Sequence, residues 1–147
     1  MMLDVIIALL PAVCVSIWIF KWYAIVQIGL CVLVSALTEM GWQKLSKKPI
    51  TLTDNSAVLT GLILALSLPW SAPMYVPVIG SFVAVALGKM VFGGLGMNLF
   101  NPAMVAYVVL LISFPVQMTS WSAPTSLIPD HVNFADTLSL IFTGYDY

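Results

Sequence analysis

The feature that most constrains this chain is a series of apolar runs with almost no charge inside them. The runs cover about residues 5–20, interrupted by Pro11, and residues 22–40, 56–68, 74–92 and 103–118. A helix that crosses a bilayer needs about 20 mainly apolar residues, with a range near 17–25. The second and fourth runs meet that length, and the first and fifth are marginal. The pattern predicts an all-α, polytopic membrane protein with about five transmembrane helices, one of them short or broken.

Charge is too scarce for most other classes of protein. Of the 147 residues, 61% are hydrophobic and 7% are charged, against about 25% charged residues in an ordinary soluble domain. A soluble enzyme, a disordered tail and a secreted disulfide scaffold are therefore disfavoured. Nucleic-acid binding is close to excluded, because five scattered lysines at a net charge of −1 form no basic surface for phosphates. Lipid or other membrane subunits must cover most of the surface.

The sequence offers little material for a metal site. An iron–sulfur cluster normally needs four thiolates, and the chain has only Cys14 and Cys31. The single histidine, His131, lies in a polar tail, so a cluster of histidines and carboxylates is not expected. We interpret the cysteines as small apolar packing residues; a metal site shared between subunits is the alternative. We predict no metal site and no catalytic residue within this chain.

The distribution of lysines predicts an orientation. Four lysines follow the second run or lie near the end of the fourth, namely Lys44, Lys47, Lys48 and Lys89. Only Lys21 lies on the opposite side. The positive-inside rule then places the N-terminus and the loop after the second run in the cytoplasm. It places the residues after Ser120 outside the cytoplasm, on the periplasmic side.

The last part of the chain differs in composition from the rest. Residues 1–120 form the predicted transmembrane region, and residues 121–147 a predicted external polar tail that leads to a missing C-terminal half. Asn133 is a candidate cap for a short helix through Phe142, with Asp136 in its first turn. Phe134 begins an apolar pattern at helical spacing, which indicates a helix at the membrane interface.

A polar segment precedes the short third run. Asp54, Asn55 and Ser56 lie directly before an apolar stretch that ends at Leu68, about 21 Å as a helix. This is short of a hydrocarbon core of about 30 Å. A short apolar helix with a polar N-terminal end is typical of a discontinuous helix that lines a site, and its free N–H groups favour an anion or an electron-rich oxygen. An ordinary N-cap at the membrane surface remains the alternative.

A second polar segment joins the fourth and fifth runs. It contains Gly93, Gly94, Gly96, Asn98 and Asn101. The glycines allow close approach of the backbone, and Asn101 with Pro102 predicts the start of the fifth helix. The glycine spacing does not fit a dinucleotide-binding fold. Because both polar segments are expected on the cytoplasmic side, we predict that they form one polar site; a tight cytoplasmic turn is the alternative.

Two charged residues lie within or beside the apolar runs. Lys89 could neutralise a ligand's phosphate or carboxylate, but we favour extension of its side chain to the interface. Glu39 could serve an ion path, but we favour an interfacial position for it as well.

Three stretches resemble a known family. Residues 53–69, 93–104 and, most closely, 107–121 are similar to the corresponding parts of the RnfD subunits of Rnf electron-transport complexes. The NqrB subunit of the sodium-translocating NADH:quinone reductase is the related second choice. The resemblance covers most of residues 3–121. It implies a larger repeat fold, similar to that of urea transporters, of which this chain would be the N-terminal half.

The resemblance also implies a function. Family members are membrane flavoprotein subunits, in the bacterial inner membrane, of complexes that couple ferredoxin:NAD⁺ electron transfer to Na⁺ or H⁺ movement. They carry FMN covalently on a threonine in a motif of the type Asp-Gly…Ala-Thr-Pro-Leu, which this sequence lacks, and a second flavin is compatible with the resemblance. The expected partners are the other membrane and peripheral subunits and the lipid bilayer. A channel for a small polar solute and a purely structural membrane subunit are the alternatives.

Overall fold

The computed structural model describes residues 1–50, 52–70, 72–93, 97, 99–121 and 134–143. Within these ranges the chain is helical and forms no strand, as the apolar periodicity predicts. The helices are α1 (Met2–Phe20), α2 (Trp22–Leu45), α3 (Ser56–Ser67), α4 (Tyr75–Ala86), α5 (Pro102–Ser113), α6 (Pro115–Thr119) and α7 (Phe134–Thr143). Short 3-10 turns cover Leu52–Asp54 and Met90–Phe92.

Three of the predicted segments have the length of a membrane span. These are α1, α2 and the stretch Tyr75–Phe92, which contains α4. The other two, α3 and α5, have 12 residues each, or about 18 Å of helix. The fifth run does not continue as one helix, because Pro115 disfavours helical backbone at Phe114, where α5 ends and α6 begins.

The first helix departs from expectation. The sequence predicts an interruption at Pro11, yet α1 is continuous from Met2 to Phe20. A proline inside a helix removes one backbone hydrogen bond, and transmembrane helices tolerate that loss through local adjustments. The chain instead turns at Lys21, whose backbone has φ 50° and whose N–H donates to the Ile17 carbonyl at 2.8 Å. A single residue therefore joins α1 to α2.

Helices α2 to α5 share one apolar core, whereas α1 has no buried residue. The core includes Cys31, Leu64, Val76 and Leu110, so Cys31 packs as a small apolar residue, as predicted. Cys14 is exposed on α1. The α2–α3 crossing is close: a Cβ atom on Gly61 would lie 2.8 Å from the Cys31 carbonyl oxygen. This approach fixes the spacing of the two helices that carry most of the polar residues described below.

The two ends of the helical unit have different character. At one end the rings of Phe20 and Trp70 pack with their centroids 5.4 Å apart, and the Gln27 amide donates to the Pro69 carbonyl at 3.0 Å. Helix α7, which the sequence predicts, contacts this same end, where Phe134 meets Trp22 edge-on at 5.2 Å. Polar and charged contacts occupy the opposite end.

Candidate functional site

A buried ion pair lies at the centre of the polar end. The Lys89 ammonium lies 2.7 Å from Glu39 Oε1. Glu39 is on α2, near its C-terminal end, and Lys89 follows α4. Lys89 is 2% exposed and Glu39 is 1% exposed. Each charge is costly to bury alone, so the pair ties the end of α4 to α2.

The start of α3 joins this pair through Ser56. The Lys89 ammonium donates to Ser56 Oγ, and that hydroxyl donates to Asp54 Oδ1 at 2.9 Å. The same Asp54 oxygen accepts from the Ser56 backbone N–H at 3.1 Å. Asp54 thus acts as an N-terminal capping residue of α3 while it is linked to the ion pair. Three chain segments meet in one network of contacts, which we call the Glu39–Lys89 cluster: Glu39, Lys89, Ser56 and Asp54.

Further polar groups of α2 extend the cluster along that helix. The Gln43 amide donates to Glu39 Oε1 at 3.2 Å, one turn beyond. One turn before, Ser35 is fully buried. The Ser35 hydroxyl and the second carboxylate oxygen of Glu39, Oε2, have no hydrogen-bond partner among the described residues. A buried polar atom left without a partner requires a physical explanation, because unsatisfied groups are costly.

The sequence-based interpretation of both charges is wrong. It places Lys89 and Glu39 at the interface, whereas the structure buries both and pairs them. The pairing could not be recognised from local sequence, because the residues are 50 positions apart. A signal was available: two opposite charges in apolar runs are each expensive in a membrane unless a partner neutralises them. The sequence patterns also gave no reason to single out Ser35.

The first predicted polar segment lies at this cluster. Asp54 and Ser56 belong to it, as described. Asn55 lies between them with left-handed backbone (φ 59°), and its side chain makes no capping hydrogen bond to α3. The left-handed backbone at Asn55 separates the turn Leu52–Asp54 from α3.

The second predicted segment is described only in part. Gly93 has φ 107°, a backbone conformation that favours glycine. Asn101 Oδ1 accepts from the Ala103 backbone N–H at 3.0 Å, so Asn101 caps α5 with Pro102 in the first turn, as predicted. Gly94, Gly96 and Asn98 lie outside the described residues, so their contacts with the first segment remain a prediction.

The start of α5 nevertheless lies close to the cluster. A Cβ atom on Gly88 would be 2.8 Å from the Pro102 Cα atom, and Gly88 immediately precedes Lys89. The N-terminal ends of α3 and α5 therefore both meet the end of α4. Asn101 itself is exposed, and its described side-chain contact is with its own helix.

The charges of the cluster determine what it can hold. Counted by residue type, the cluster contains two acidic side chains, Asp54 and Glu39, and one basic side chain, Lys89. It does not fit a flavin phosphate, because Glu39 already neutralises Lys89 and both are enclosed. Among the residues that the structure describes, no group of three His, Cys, Asp or Glu side chains is arranged to hold a metal ion.

Comparison with known proteins identifies the family of the chain. Residues 1–145 match the model of the NQR2, RnfD, RnfE family. The chain is 52% identical over 145 residues to a protein of Actinobacillus succinogenes that is named as the D subunit of an ion-translocating oxidoreductase complex. Proteins of the same name from Escherichia fergusonii and Shewanella piezotolerans are 49% identical over 146 residues and 50% identical over 135 residues, respectively.

The alignments cover nearly all of this chain but a minor part of each relative. They include 97% of the chain and 41% of the Actinobacillus protein, 98% and 42% for Escherichia fergusonii, and 90% and 39% for Shewanella piezotolerans. The chain thus spans about two fifths of the length of these relatives. Because the family model matches almost the whole sequence, the chain belongs to the NQR2, RnfD, RnfE family.

Proposed function

We propose that this chain forms the N-terminal membrane part of the RnfD subunit of an ion-translocating oxidoreductase complex. The observation that carries this proposal is the 52% identity, over 97% of the chain, to the Actinobacillus protein. In the whole complex the subunit would help to couple ferredoxin:NAD⁺ electron transfer to movement of Na⁺ or H⁺. The chain is not catalytic alone in this proposal.

We propose further that the chain is half of a larger repeat fold similar to that of urea transporters, with about five membrane segments. Two short helices, α3 and α5, support this proposal, since each begins with a capped polar end at the same end of α4. Interrupted helices with polar N-terminal ends are typical of membrane proteins that bind or move a polar solute. A polar site at this position would be lined by residues of both polar segments: Asp54, Asn55, Ser56, Gly93, Gly94, Gly96, Asn98 and Asn101.

The proposed location is the bacterial inner membrane, with the N-terminus in the cytoplasm. Most lysines lie at the Glu39–Lys89 end of the helical unit, which supports a cytoplasmic position for that end. Helix α7 packs at the opposite end, beside Trp22, and this supports an external position for residues 121–147. The expected neighbours are lipid and the other membrane and peripheral subunits of the complex.

The cofactor proposal concerns the full-length subunit. FMN would be attached to a threonine in a part of the protein that this chain does not contain, and a second flavin is compatible with the family. Accordingly, this 16.0 kDa chain expressed alone should give a dark band under ultraviolet light on a denaturing gel. The full-length subunit, expressed in parallel, is the positive control. A fluorescent band from the chain itself would show that one of its own residues carries the flavin.

The function is tested in the source organism by deleting the gene for the full-length subunit and restoring it on a plasmid. Inverted membrane vesicles from the restored strain should reduce NAD⁺ with ferredoxin and take up Na⁺ or H⁺ at the same time. Vesicles from the deletion strain should do neither. If the deletion leaves both activities intact but abolishes the flux of a small polar solute, the channel alternative is correct.

A further inference from the structure

The end of α2 carries three of the five lysines of the chain within five consecutive positions. We call this segment, Lys44–Lys48, the lysine turn. Lys44, Lys47 and Lys48 are all exposed, and none of them forms an ion pair with another described residue. The acidic side chains nearest in sequence, Glu39 and Asp54, make their contacts elsewhere. The lysine turn therefore presents positive charge that the described residues do not compensate.

The backbone of the lysine turn is held by two hydrogen bonds. The Lys48 N–H donates to the Gln43 carbonyl at 2.9 Å, and the Lys47 N–H donates to the Lys44 carbonyl at 3.3 Å. Lys47 itself has left-handed backbone, with φ 54°. These are the bonds and the conformation of a Schellman motif, a common way for a helix to end. The three lysines are thus carried on an ordered turn and not on a loose connection.

Lys47 occupies the position of this motif that glycine usually takes. Left-handed backbone is unfavourable for a residue with a Cβ atom, whereas glycine adopts it readily. Residues kept in such a conformation are concentrated at functional positions. The end of the helix does not explain the lysine, because Lys44 already places a positive charge in the last turn of α2. The geometry favours a role for the Lys47 charge outside the helix.

An exposed apolar row on α2 leads to the lysine turn. Leu33, Leu37 and Leu45 are exposed, and so is Gly41 between the last two. Residues four positions apart are neighbours on a helix surface, so these four form a continuous row that faces away from the helical unit. Leu45 is 85% exposed and directly follows Lys44. The lysines therefore lie where the outward apolar surface of α2 ends.

Cations at the end of an outward apolar surface fit a lipid best. Apolar side chains favour the acyl layer, and lysine ammonium groups extend to the charged headgroup layer. Clusters of lysine beside a membrane helix attract anionic lipids. An acidic soluble protein would compensate the lysines, but it would not explain the apolar row that adjoins them.

We propose that Lys44, Lys47 and Lys48 bind the phosphate of an anionic phospholipid, with Leu45 against its acyl chains. The left-handed backbone at Lys47 places that lysine beside the other two at the end of the apolar row. The lipid supplies the negative charge that the described residues around the turn do not. The proposal requires only that α2 crosses a bilayer, so it goes beyond the proposed electron-transfer function and does not depend on it.

Lysine labelling in the assembled complex tests the contact. The complex is reconstituted in phosphatidylcholine nanodiscs with or without phosphatidylglycerol and treated with an amine-reactive acetylating reagent. Mass spectrometry should show slower acetylation of the lysine turn when phosphatidylglycerol is present. High salt should remove this difference, because it screens exposed charges. Lys21, the exposed lysine at the other end of α2, is the internal control and should change less.

Native mass spectrometry of the full-length subunit in detergent measures the preference for the anionic lipid. With equal amounts of phosphatidylglycerol and phosphatidylcholine, each Lys→Gln replacement in the lysine turn should lower the ratio of the two bound forms about fivefold. This corresponds to ~1 kcal/mol for one lysine near an anionic surface. Lys→Arg replacements keep the charge and should keep the ratio. Lys21→Gln is the matched control and should also keep it.

Lys47→Gly separates lipid binding from the end of the helix. Glycine favours the left-handed backbone at this position, so the lipid-free subunit in detergent should unfold at a higher temperature. The same replacement should lower the preference for phosphatidylglycerol about fivefold, because one cation is lost. A residue that only ends α2 would give the first change without the second.

Two results would overturn the proposal. The first is acetylation of the lysine turn at the same rate with and without phosphatidylglycerol; a slow rate in both nanodiscs would indicate that another subunit covers the turn. The second is an unchanged lipid preference in Lys44→Gln/Lys47→Gln/Lys48→Gln. Neither measurement reads electron transfer, so a complex that fails to couple ferredoxin to NAD⁺ would contradict the proposed function and leave the lipid contact in place.

Discussion

The Lys89 ammonium and Glu39 Oε1 are 2.7 Å apart in the interior of the helical unit, although 50 positions separate the two residues in sequence. This pair joins α2 to the segment after α4, and Ser56 brings the start of α3 to the same point. The ion pair and the hydrogen bond to Ser56 thus join the C-terminal part of α2, the end of α4 and the start of α3 at one place, close to the proposed cytoplasmic surface.

Removing one partner of this pair should be strongly destabilising. Lys89→Met leaves the Glu39 carboxylate buried and unpaired, which should cost about 3–5 kcal/mol. Adding Glu39→Gln should recover most of the loss, because no uncompensated charge then remains. The measurement is thermal unfolding of the purified full-length subunit in detergent. Lys44→Met, at an exposed position of α2, is the control and should change stability little. Equal effects of the single and the double variant would contradict the prediction.

The close crossing of α2 and α3 should not tolerate a side chain at Gly61. A Cβ atom there would meet the Cys31 carbonyl oxygen and the Val32 Cα atom at 2.8 Å, and backbone atoms cannot move aside cheaply. Gly61→Ala should therefore destabilise the subunit by about 1–3 kcal/mol. Gly29→Ala is the matched control, since nothing lies within 4 Å of its Cβ position. Because alanine favours a helix over glycine, Gly29→Ala should be neutral or stabilising; similar losses at both positions would argue against the crossing.

Replacement of Asp54 by asparagine separates the role of Asp54 as a capping residue of α3 from the role of its carboxylate charge. Asp54→Asn keeps an oxygen that can accept from the Ser56 N–H and Oγ, so stability should change by about 1 kcal/mol or less. Its loss of one negative charge should nevertheless lower ion-coupled electron transfer in the whole complex if the polar site is functional. Assembly with wild-type turnover would indicate that Asp54 only caps α3.

Asn101 can be tested with a conservative pair of variants. Asn101→Ala removes the oxygen that accepts from the Ala103 N–H and should cost about 1 kcal/mol of local helix stability. Asn101→Asp keeps an acceptor at the N-terminus of α5 and should retain that stability. If the amide group itself belongs to the polar site, both variants should lower coupled turnover in membrane vesicles. Full activity of Asn101→Asp would limit the role of this residue to capping.

The proposed orientation predicts the activity of fusion proteins. Alkaline phosphatase, which is active only outside the cytoplasm, should be inactive when fused after Ser46 and active when fused after Thr125. The lysine distribution and the position of α7 beside Trp22 are the physical reasons. Immunoblots that show equal expression of both fusions provide the control. The reverse pattern of activity would overturn the orientation and the assignment of the cytoplasmic half.

Local sequence is enough to specify the helical class, most helix positions and the cap of α5. Apolar runs in a chain with 7% charged residues leave little alternative to helices in lipid, and Asn101 followed by Pro102 specifies the start of α5. Each of these features is determined by residues that are close together in the sequence, so it can be inferred without knowledge of the tertiary structure. The sequence does not predict that α1 continues through Pro11, because that continuity depends on adjustments of the neighbouring backbone.

Tertiary packing, by contrast, is what buries Glu39 and Lys89 and pairs them. Each side chain alone has two favourable environments, the interface or a partner of opposite charge, and sequence does not rank them. The close crossing at Gly61 brings α2 and α3 together, and the approach of Gly88 to Pro102 brings the end of α4 to the start of α5. In this packing the Lys89 ammonium is enclosed and pairs with the Glu39 carboxylate of α2. The unused Glu39 oxygen and the Ser35 hydroxyl follow from the same packing, because both are buried along one face of α2.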